Sequence, residues 1–280
     1  AGSRVRRRLA VMRTVLTLAG IVLLLYAAAC VALFLLQRSL IYFPQPSAHG
    51  KAADRLKLQA DGAEVHVSHR PHTEAKAVIY FGGNAEDVSA SAPDLAAAFP
   101  DRAIYLMHYR GYGDSTGSPS EAALHADALL LFDKVHRTQP DITVIGRSLG
   151  TGVAVRLATE RPVNRLVLVT PYENLQDIAA SQFPIFPVRW LLQDRFDSGS
   201  FASRVTAPTV IIAAGHDEVI PRWSTEQLAT RFSKGIATMH VVPQTGHNTI
   251  SDSRIYLDLL RGQTSPNQPS AAPAPSSQSR

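Results

Sequence analysis

Hydrophobic and polar positions sort the chain into three stretches. Thr14 to Leu36 contains no charge, and as a helix rising ~1.5 Å per residue it reaches about 35 Å, enough to cross a hydrocarbon core of roughly 30 Å. Gln263 to Arg280 is the opposite case, with four prolines, five serines, no aromatic residue and one charge. Such a stretch buries too little apolar surface to order itself, and a flexible tail is expected over 263–280. Between the two, residues 37–262 alternate short β-rich runs with longer helical patterns, the signature of an α/β domain with a mostly parallel sheet flanked by helices.

The predicted strands are Glu64 to Val67, Ala77 to Phe81, Ala103 to Met107, Ile142 to Ile145, Arg165 to Val169, Thr209 to Ala213 and Met239 to Val242. The clearest predicted helices are Pro93 to Ala98, Ser120 to Arg137, Leu149 to Glu160, Ser224 to Phe232 and Ile250 to Leu260. One connection breaks the rhythm. Pro171 to Ser203 is long, holds Pro184 and Pro187, and carries Phe183, Phe186, Trp190 and Phe196. A connection of that length in a compact domain is usually functional, so a lid-like segment with exposed aromatics is expected over 171–203.

Charge changes the picture at one end. The chain has 28 Lys+Arg and 23 Asp+Glu, a formal +5. Six arginines (Arg4, Arg6, Arg7, Arg8, Arg13 and Arg38) fall in the first 38 residues, which hold no acid, and residues 39–280 stand at −1. A near-neutral body without a cationic stripe argues against a nucleic-acid binder, which needs clustered positive charge to displace phosphate counterions. Five arginines precede the apolar run, whereas only Arg38, Lys51 and Arg55 follow it within twenty residues. That asymmetry predicts a signal anchor, with 1–13 a basic cytoplasmic segment, 14–36 the transmembrane helix, and the body extracytoplasmic, which is periplasmic in a bacterium. The run is too long for the ~7 to 15 apolar residues of a cleaved signal peptide. Cys30, the only cysteine, follows Ala27, Ala28 and Ala29 as in a lipoprotein cleavage site, but the apolar run continues to Leu36, so Cys30 is read as a small membrane residue.

Candidate chemistry begins at Gly146-Arg147-Ser148-Leu149-Gly150, a G-x-S-x-G pattern. A β-branched run precedes it and a helical pattern follows, which sets Ser148 on a strand-to-helix turn with its hydroxyl exposed above the sheet. The helix N-terminus there favours developing negative charge. A serine hydroxyl needs a histidine to take its proton and an acid to orient that histidine. Asp217 follows the strand ending at Ala213, and His247 follows the strand ending at Val242, so both fall on the same rim as Ser148. Glu218 is the alternative acid. The oxyanion hole is assigned to the backbone N–H groups of Leu149 and of Asn84, the latter after Phe81-Gly82-Gly83. Gly83 is expected to meet substrate; the Tyr109 to Pro119 loop is read as mainly structural, with Tyr109, or alternatively Arg110, its candidate substrate contact, since loops at the carboxyl rim of a sheet often reach substrate.

These motifs resemble the α/β-hydrolase serine hydrolases, and within them the small membrane-anchored group related to the mammalian α/β-hydrolase-domain proteins. The resemblance covers about Gln37 to Leu260. It includes Arg38-Ser39-Leu40-Ile41-Tyr42-Phe43-Pro44, Gly82-Gly83-Asn84-Ala85, the run from Tyr109 to Pro119, the G-x-S-x-G, Asp217-Glu218-Val219-Ile220-Pro221 and Gly246-His247-Asn248. It implies the α/β-hydrolase fold and a Ser148, Asp217, His247 triad forming a covalent acyl-enzyme. The implied target is an ester or thioester, with an amide or peptide as the alternative; a catalytically inactive binding module is the remaining reading. Gly82 stands where the family commonly has a histidine, so this loop is expected to lack that side chain's support. The anchor suggests small-molecule or lipidic acyl substrates. No cofactor is called for, and no metal: His66, His69 and His72 recur every third residue, but on an extended strand His69 points away from the other two.

Overall fold

The computed structural model describes residues 2–47 and 55–263; of the expected tail only Gln263 falls among them. The chain opens with α1 (Gly2–Ile41), one uninterrupted helix of 40 residues. The stretch predicted over 14–36 is its middle, and the helix continues through Gln37, Arg38 and Ser39. It is long and apolar enough to cross a membrane. Leu16, Val22, Leu23, Leu24 and Leu35 are 65–71% exposed, an apolar surface with no protein against it.

Eight strands follow: β1 (Arg55–Ala60), β2 (Ala63–Arg70), β3 (Lys76–Phe81), β4 (Ala103–Met107), β5 (Asp141–Arg147), β6 (Arg165–Val169), β7 (Thr209–Ala214) and β8 (Ala237–Val242). They form one sheet in the order β1-β2-β4-β3-β5-β6-β7-β8. β2 pairs antiparallel with β1 and β4, and all other pairings are parallel. Central strands are near-continuous buried runs, as in β4 with all five residues buried, because helices cover both faces. α2 (Ala92–Ala98) and α9 (Tyr256–Arg261) pack on one face; α3 (Glu121–His136), α4 (Leu149–Glu160) and α8 (Arg222–Arg231) pack on the other.

Three boundaries differ from expectation. β1 was not predicted; it joins β2 through the two-residue turn Asp61-Gly62, with Gly62 at φ +70. β2 runs on to Arg70, because Val67 to Arg70 pairs with Met107 back to Ile104. The helix predicted over Ile250 to Leu260 is broken into a short 3₁₀ turn (Ile250–Asp252) and α9, since Ser253 adopts extended angles between them.

The 171–203 segment carries α5 (Leu175–Gln182), α6 (Val188–Leu191) and α7 (Ser198–Ala202). Phe183 and Trp190 are exposed. Phe186 stacks on Tyr26 of α1 with ring centroids 5.9 Å apart. Phe196 departs from expectation: it is buried, edge-on to Tyr42 at 6.4 Å and packed over Gly152. The segment is tied along the upper part of α1. Tyr26 donates to the Ile185 carbonyl at 2.8 Å, and Gln37 donates to the Leu191 carbonyl at 3.2 Å while accepting from the Gln193 N–H at 2.7 Å. The buried carboxylate of Asp194 binds Arg38 at 3.1 Å and the Tyr42 hydroxyl at 3.0 Å. Burial and that carboxylate push the Tyr42 hydroxyl well up, so it stays a donor.

Candidate active site

β5 ends at Arg147 and α4 begins at Leu149, leaving Ser148 alone to make the turn, at φ 48 and ψ −118. A non-glycine residue there is strained, and such strain persists only where the surroundings over-determine it. The flanking glycines show how. A Cβ on Gly146 would lie 2.5 Å from the Gly150 carbonyl oxygen, and one on Gly150 would run into the carbonyl of Phe81. The Ser148 N–H is held by the Val169 carbonyl at 2.9 Å.

The loops after β7 and β8 bring the other two groups to this turn. His247 is buried, with Nε2 3.0 Å from Ser148 Oγ and Nδ1 3.0 Å from both oxygens of Asp217. An ionised carboxylate only accepts, so the proton belongs on Nδ1 and Nε2 is left to face the serine. The Val219 and Ile220 N–H groups donate to Asp217 Oδ1 at 3.0 and 2.7 Å and fix its orientation. Glu218, the alternative acid, turns elsewhere and accepts the backbone N–H of His247 at 3.0 Å. That donor holds the Glu218 carboxyl below its ordinary range. Gly246 is required for the approach, since a Cβ there would lie 2.7 Å from Glu218 Oε2.

The loop after β3 completes the rim. Among the described residues neither the Asn84 N–H nor the Leu149 N–H donates a hydrogen bond, and both residues line the same cavity as Ser148. The rest of Asn84 is engaged: its side chain donates to the Ile41 carbonyl at 3.0 Å, and its carbonyl accepts from the Phe43 N–H at 3.1 Å and from the Tyr112 hydroxyl. Gly83 touches Ser148, an added Cβ lying 3.7 Å from the serine Cβ, but its N–H is committed to Glu86 at 2.8 Å. Tyr109 is not placed to touch substrate. It is 1% exposed, packs edge-on to Tyr112, and donates to the Gly82 carbonyl at 2.8 Å from behind the loop. Burial keeps its hydroxyl protonated and therefore a donor.

The cavity has a volume of about 250 Å³. Ile178, Phe183, Val188 and Leu191 of the 171–203 segment form one side, and Leu33, Gln37, Leu40 and Ile41 of α1 form another. Of the histidines spaced three apart, His66 binds Glu64 at 2.9 Å, His69 stacks on Tyr105 at 4.4 Å, and His72 accepts the Glu74 N–H at 3.1 Å.

A family model described as alpha/beta hydrolase fold matches residues 76–191. The Mycobacterium tuberculosis protein Rv2307c, itself uncharacterized, is 35% identical over 264 residues, covering 88% of this chain and 93% of that protein. The chain belongs to the α/β-hydrolase fold family. The Xenopus tropicalis protein named lysophosphatidylserine lipase ABHD12 is 35% identical over 140 residues, 42% of this chain and 36% of that longer one. The solved structure of mouse α/β hydrolase domain-containing protein 10 superimposes with a TM-score of 0.58 at 18% identity, over 75% of this chain and 96% of its own, a likeness of fold.

Within this α/β hydrolase, the glycine at position 82, where the expected histidine is absent, has a physical explanation. A Cβ on Gly82 would lie 2.5 Å from Val88 Cγ1, so a side chain there would force the buried Val88 to shift. Support comes instead from Glu86, which takes the Gly83 N–H on one oxygen, and the Tyr80 hydroxyl (2.7 Å) and Ser91 hydroxyl (2.8 Å) on the other, with Arg147 3.6 Å away. Reading the residues in order did not find Glu86, because a carboxylate three residues past a glycine pair carries no distinctive pattern. The α1 wall of the cavity leaves no signal in the sequence for another reason: an apolar run that suits a membrane looks the same when its end also lines a cavity, as Leu33 does together with Gln37, Leu40 and Ile41 beyond the run.

Proposed function

We propose that this hydrolase is a membrane-anchored serine hydrolase that cleaves an acyl ester or thioester through a Ser148, His247, Asp217 triad. The observation that carries this reading is the imidazole of His247, 3.0 Å from the serine hydroxyl on one nitrogen and 3.0 Å from the carboxylate on the other. Ser148 Oγ attacks the substrate carbonyl carbon while His247 Nε2 takes its proton, and the Asn84 and Leu149 N–H groups receive the developing oxyanion. His247 returns the proton to the leaving oxygen or sulfur, leaving an acyl group on Ser148. Water then attacks that ester with His247 as base, the acid departs, and the serine recovers its proton. An apolar cavity beside the nucleophile, and kinship to a protein named as a lipase, support an aliphatic acyl group. Residues 1–13 stay in the cytoplasm, 14–36 cross the membrane, and 37–262 form the catalytic domain outside, with 171–203 as its cap.

A fluorophosphonate probe tests the chemistry, with acyl esters, acyl thioesters and peptide amides as substrates. The expected outcome is labelling and ester or thioester turnover by the intact protein, both lost in Ser148→Ala, with kcat lower by about 10⁶-fold. Labelling that persists in Ser148→Ala, or turnover confined to amides, overturns the proposal.

A further inference from the structure

We infer that the cap of this enzyme is itself seated in the membrane, and that the acyl chain of a bilayer lipid enters the cavity sideways, between α1 and the cap. The substrate half of this inference rests on the acyl-hydrolase reading above; the seating of the cap does not.

The depth of the cap follows from where it touches α1. Tyr26 meets the cap tip through the Ile185 carbonyl and the Phe186 ring. Tyr26 lies ten residues before Leu36, about 15 Å down the helix from the end of the apolar run. If the tip stood in water, Tyr26 would stand there too, leaving Thr14 to Leu25, about 18 Å of helix, to cross roughly 30 Å of hydrocarbon. Making up the difference from below would drag Arg13, Arg8, Arg7 and Arg6 into the membrane, at a cost of several kcal/mol for charges near its centre, roughly 3 each. A spanning α1 therefore carries the tip in with it.

The tip is built for that medium. Ile185 is 72% exposed, Trp190 86% and Phe183 45%, all within eight residues spanning the turn after α5 and the short helix α6. Irregular backbone survives in hydrocarbon only where its polar groups find partners. Pro184 and Pro187 have no N–H; the N–H groups of Phe183, Phe186 and Val188 donate to Ala179, Phe183 and Phe186 carbonyls at 2.8–3.1 Å, and the Ile185 carbonyl is taken by Tyr26, so that of the N–H groups of residues 183–188 only that of Ile185 lacks a partner among the described residues. Arg189, the one charge between Gln182 and Leu192, pairs with Asp177 at 2.7 Å and has the length to reach headgroups.

The cavity is built from the same two elements. Leu33, Leu40 and Ile41 of the anchor and Phe183, Val188 and Leu191 of the cap line it together with Ser148. An acyl chain already in the outer leaflet passes between them without crossing water. That path selects an amphiphile whose ester or thioester lies at the headgroup boundary.

The test uses the full chain reconstituted in phosphatidylcholine vesicles. Trp223→Phe leaves Trp190 as the sole tryptophan, since the chain has two, and its fluorescence is read against lipids brominated along the acyl chain. Strong quenching is expected; fluorescence no lower than in unbrominated vesicles overturns the seating of the cap. In parallel, Ile185→Asp puts a carboxylate on the tip without touching the cavity lining. Turnover of a long-chain acyl ester held in the vesicles should fall about tenfold or more, because hydrocarbon expels the charge, while a short-chain water-soluble ester and fluorophosphonate labelling stay at intact levels. Equal loss on both esters, or no loss on either, overturns the sideways route. If the intact protein is not labelled and turns over neither ester while Trp190 is still quenched, the acyl-hydrolase reading falls and the seating of the cap stands.

Discussion

Asp217 and Glu218 are chain neighbours, yet only Asp217 reaches the imidazole of His247, while Glu218 takes that residue's backbone N–H. Their substitutions should separate accordingly. Asp217→Asn, which replaces an acceptor-only carboxylate with an amide that can also donate and so no longer selects the tautomer, is expected to lower kcat by about 10⁴-fold. Glu218→Gln still offers an oxygen to the N–H and should cost about tenfold or less; steady-state kinetics on one ester checks both, and equal losses would reverse the assignment. In the proposed mechanism Glu86 acts one step further from substrate, since it holds the Gly83 N–H beside Asn84, the proposed oxyanion donor. Glu86→Ala is expected to lower kcat about 10- to 100-fold with KM within about twofold, because the oxyanion is stabilised in the transition state and not in the bound substrate. Glu86→Gln should recover part of that loss. A fall confined to KM would remove Glu86 from this role.

Among the elements, β2 and the loop after β4 are pinned by a group whose titration is measurable. His108 is 2% exposed, with Nε2 2.8 Å from the Ser68 hydroxyl and Gly113 pressed against its ring. Burial lowers its pKa from 6.5 to about 4. A depressed histidine pKa means the unfolded chain binds the proton more tightly, so its contribution to stability is complete above about pH 6.5 and drains away as pH falls toward 4. Between pH 7.5 and 4.5 this one group should remove about 2 to 3 kcal/mol. Denaturant midpoints of the intact chain and of His108→Gln over that range provide the check: the variant's loss should be smaller by that amount, and parallel curves would refute it. The parallel strands β3 to β7 were legible in the sequence because strands buried on both faces read as unbroken apolar runs. β1 was not, because only Leu58 of its six residues is buried, although Asp61-Gly62 between alternating runs was the available signal. Ser148, Asp217 and His247 could be picked out as candidates because each lies in the loop just after a strong strand. The partners of Glu86 could not, because they are set by how the loop after β3 folds back.

For the molecule as a whole, the proposed direction across the membrane rests on the arginines before the apolar run and the near-neutral body after it. Protease added outside sealed cells is expected to digest the catalytic body; protection there, with digestion only after lysis, would invert the arrangement. The helix long and apolar enough to cross a membrane also ends at the candidate site. Its last carbonyl, on Ile41, is the one the Asn84 side chain grips, and its final two turns line the cavity. A fragment trimmed after Ile41 for easier handling in water would therefore be a damaged enzyme. It would show an open trough and a slackened oxyanion loop, and its sluggish turnover would measure the missing wall.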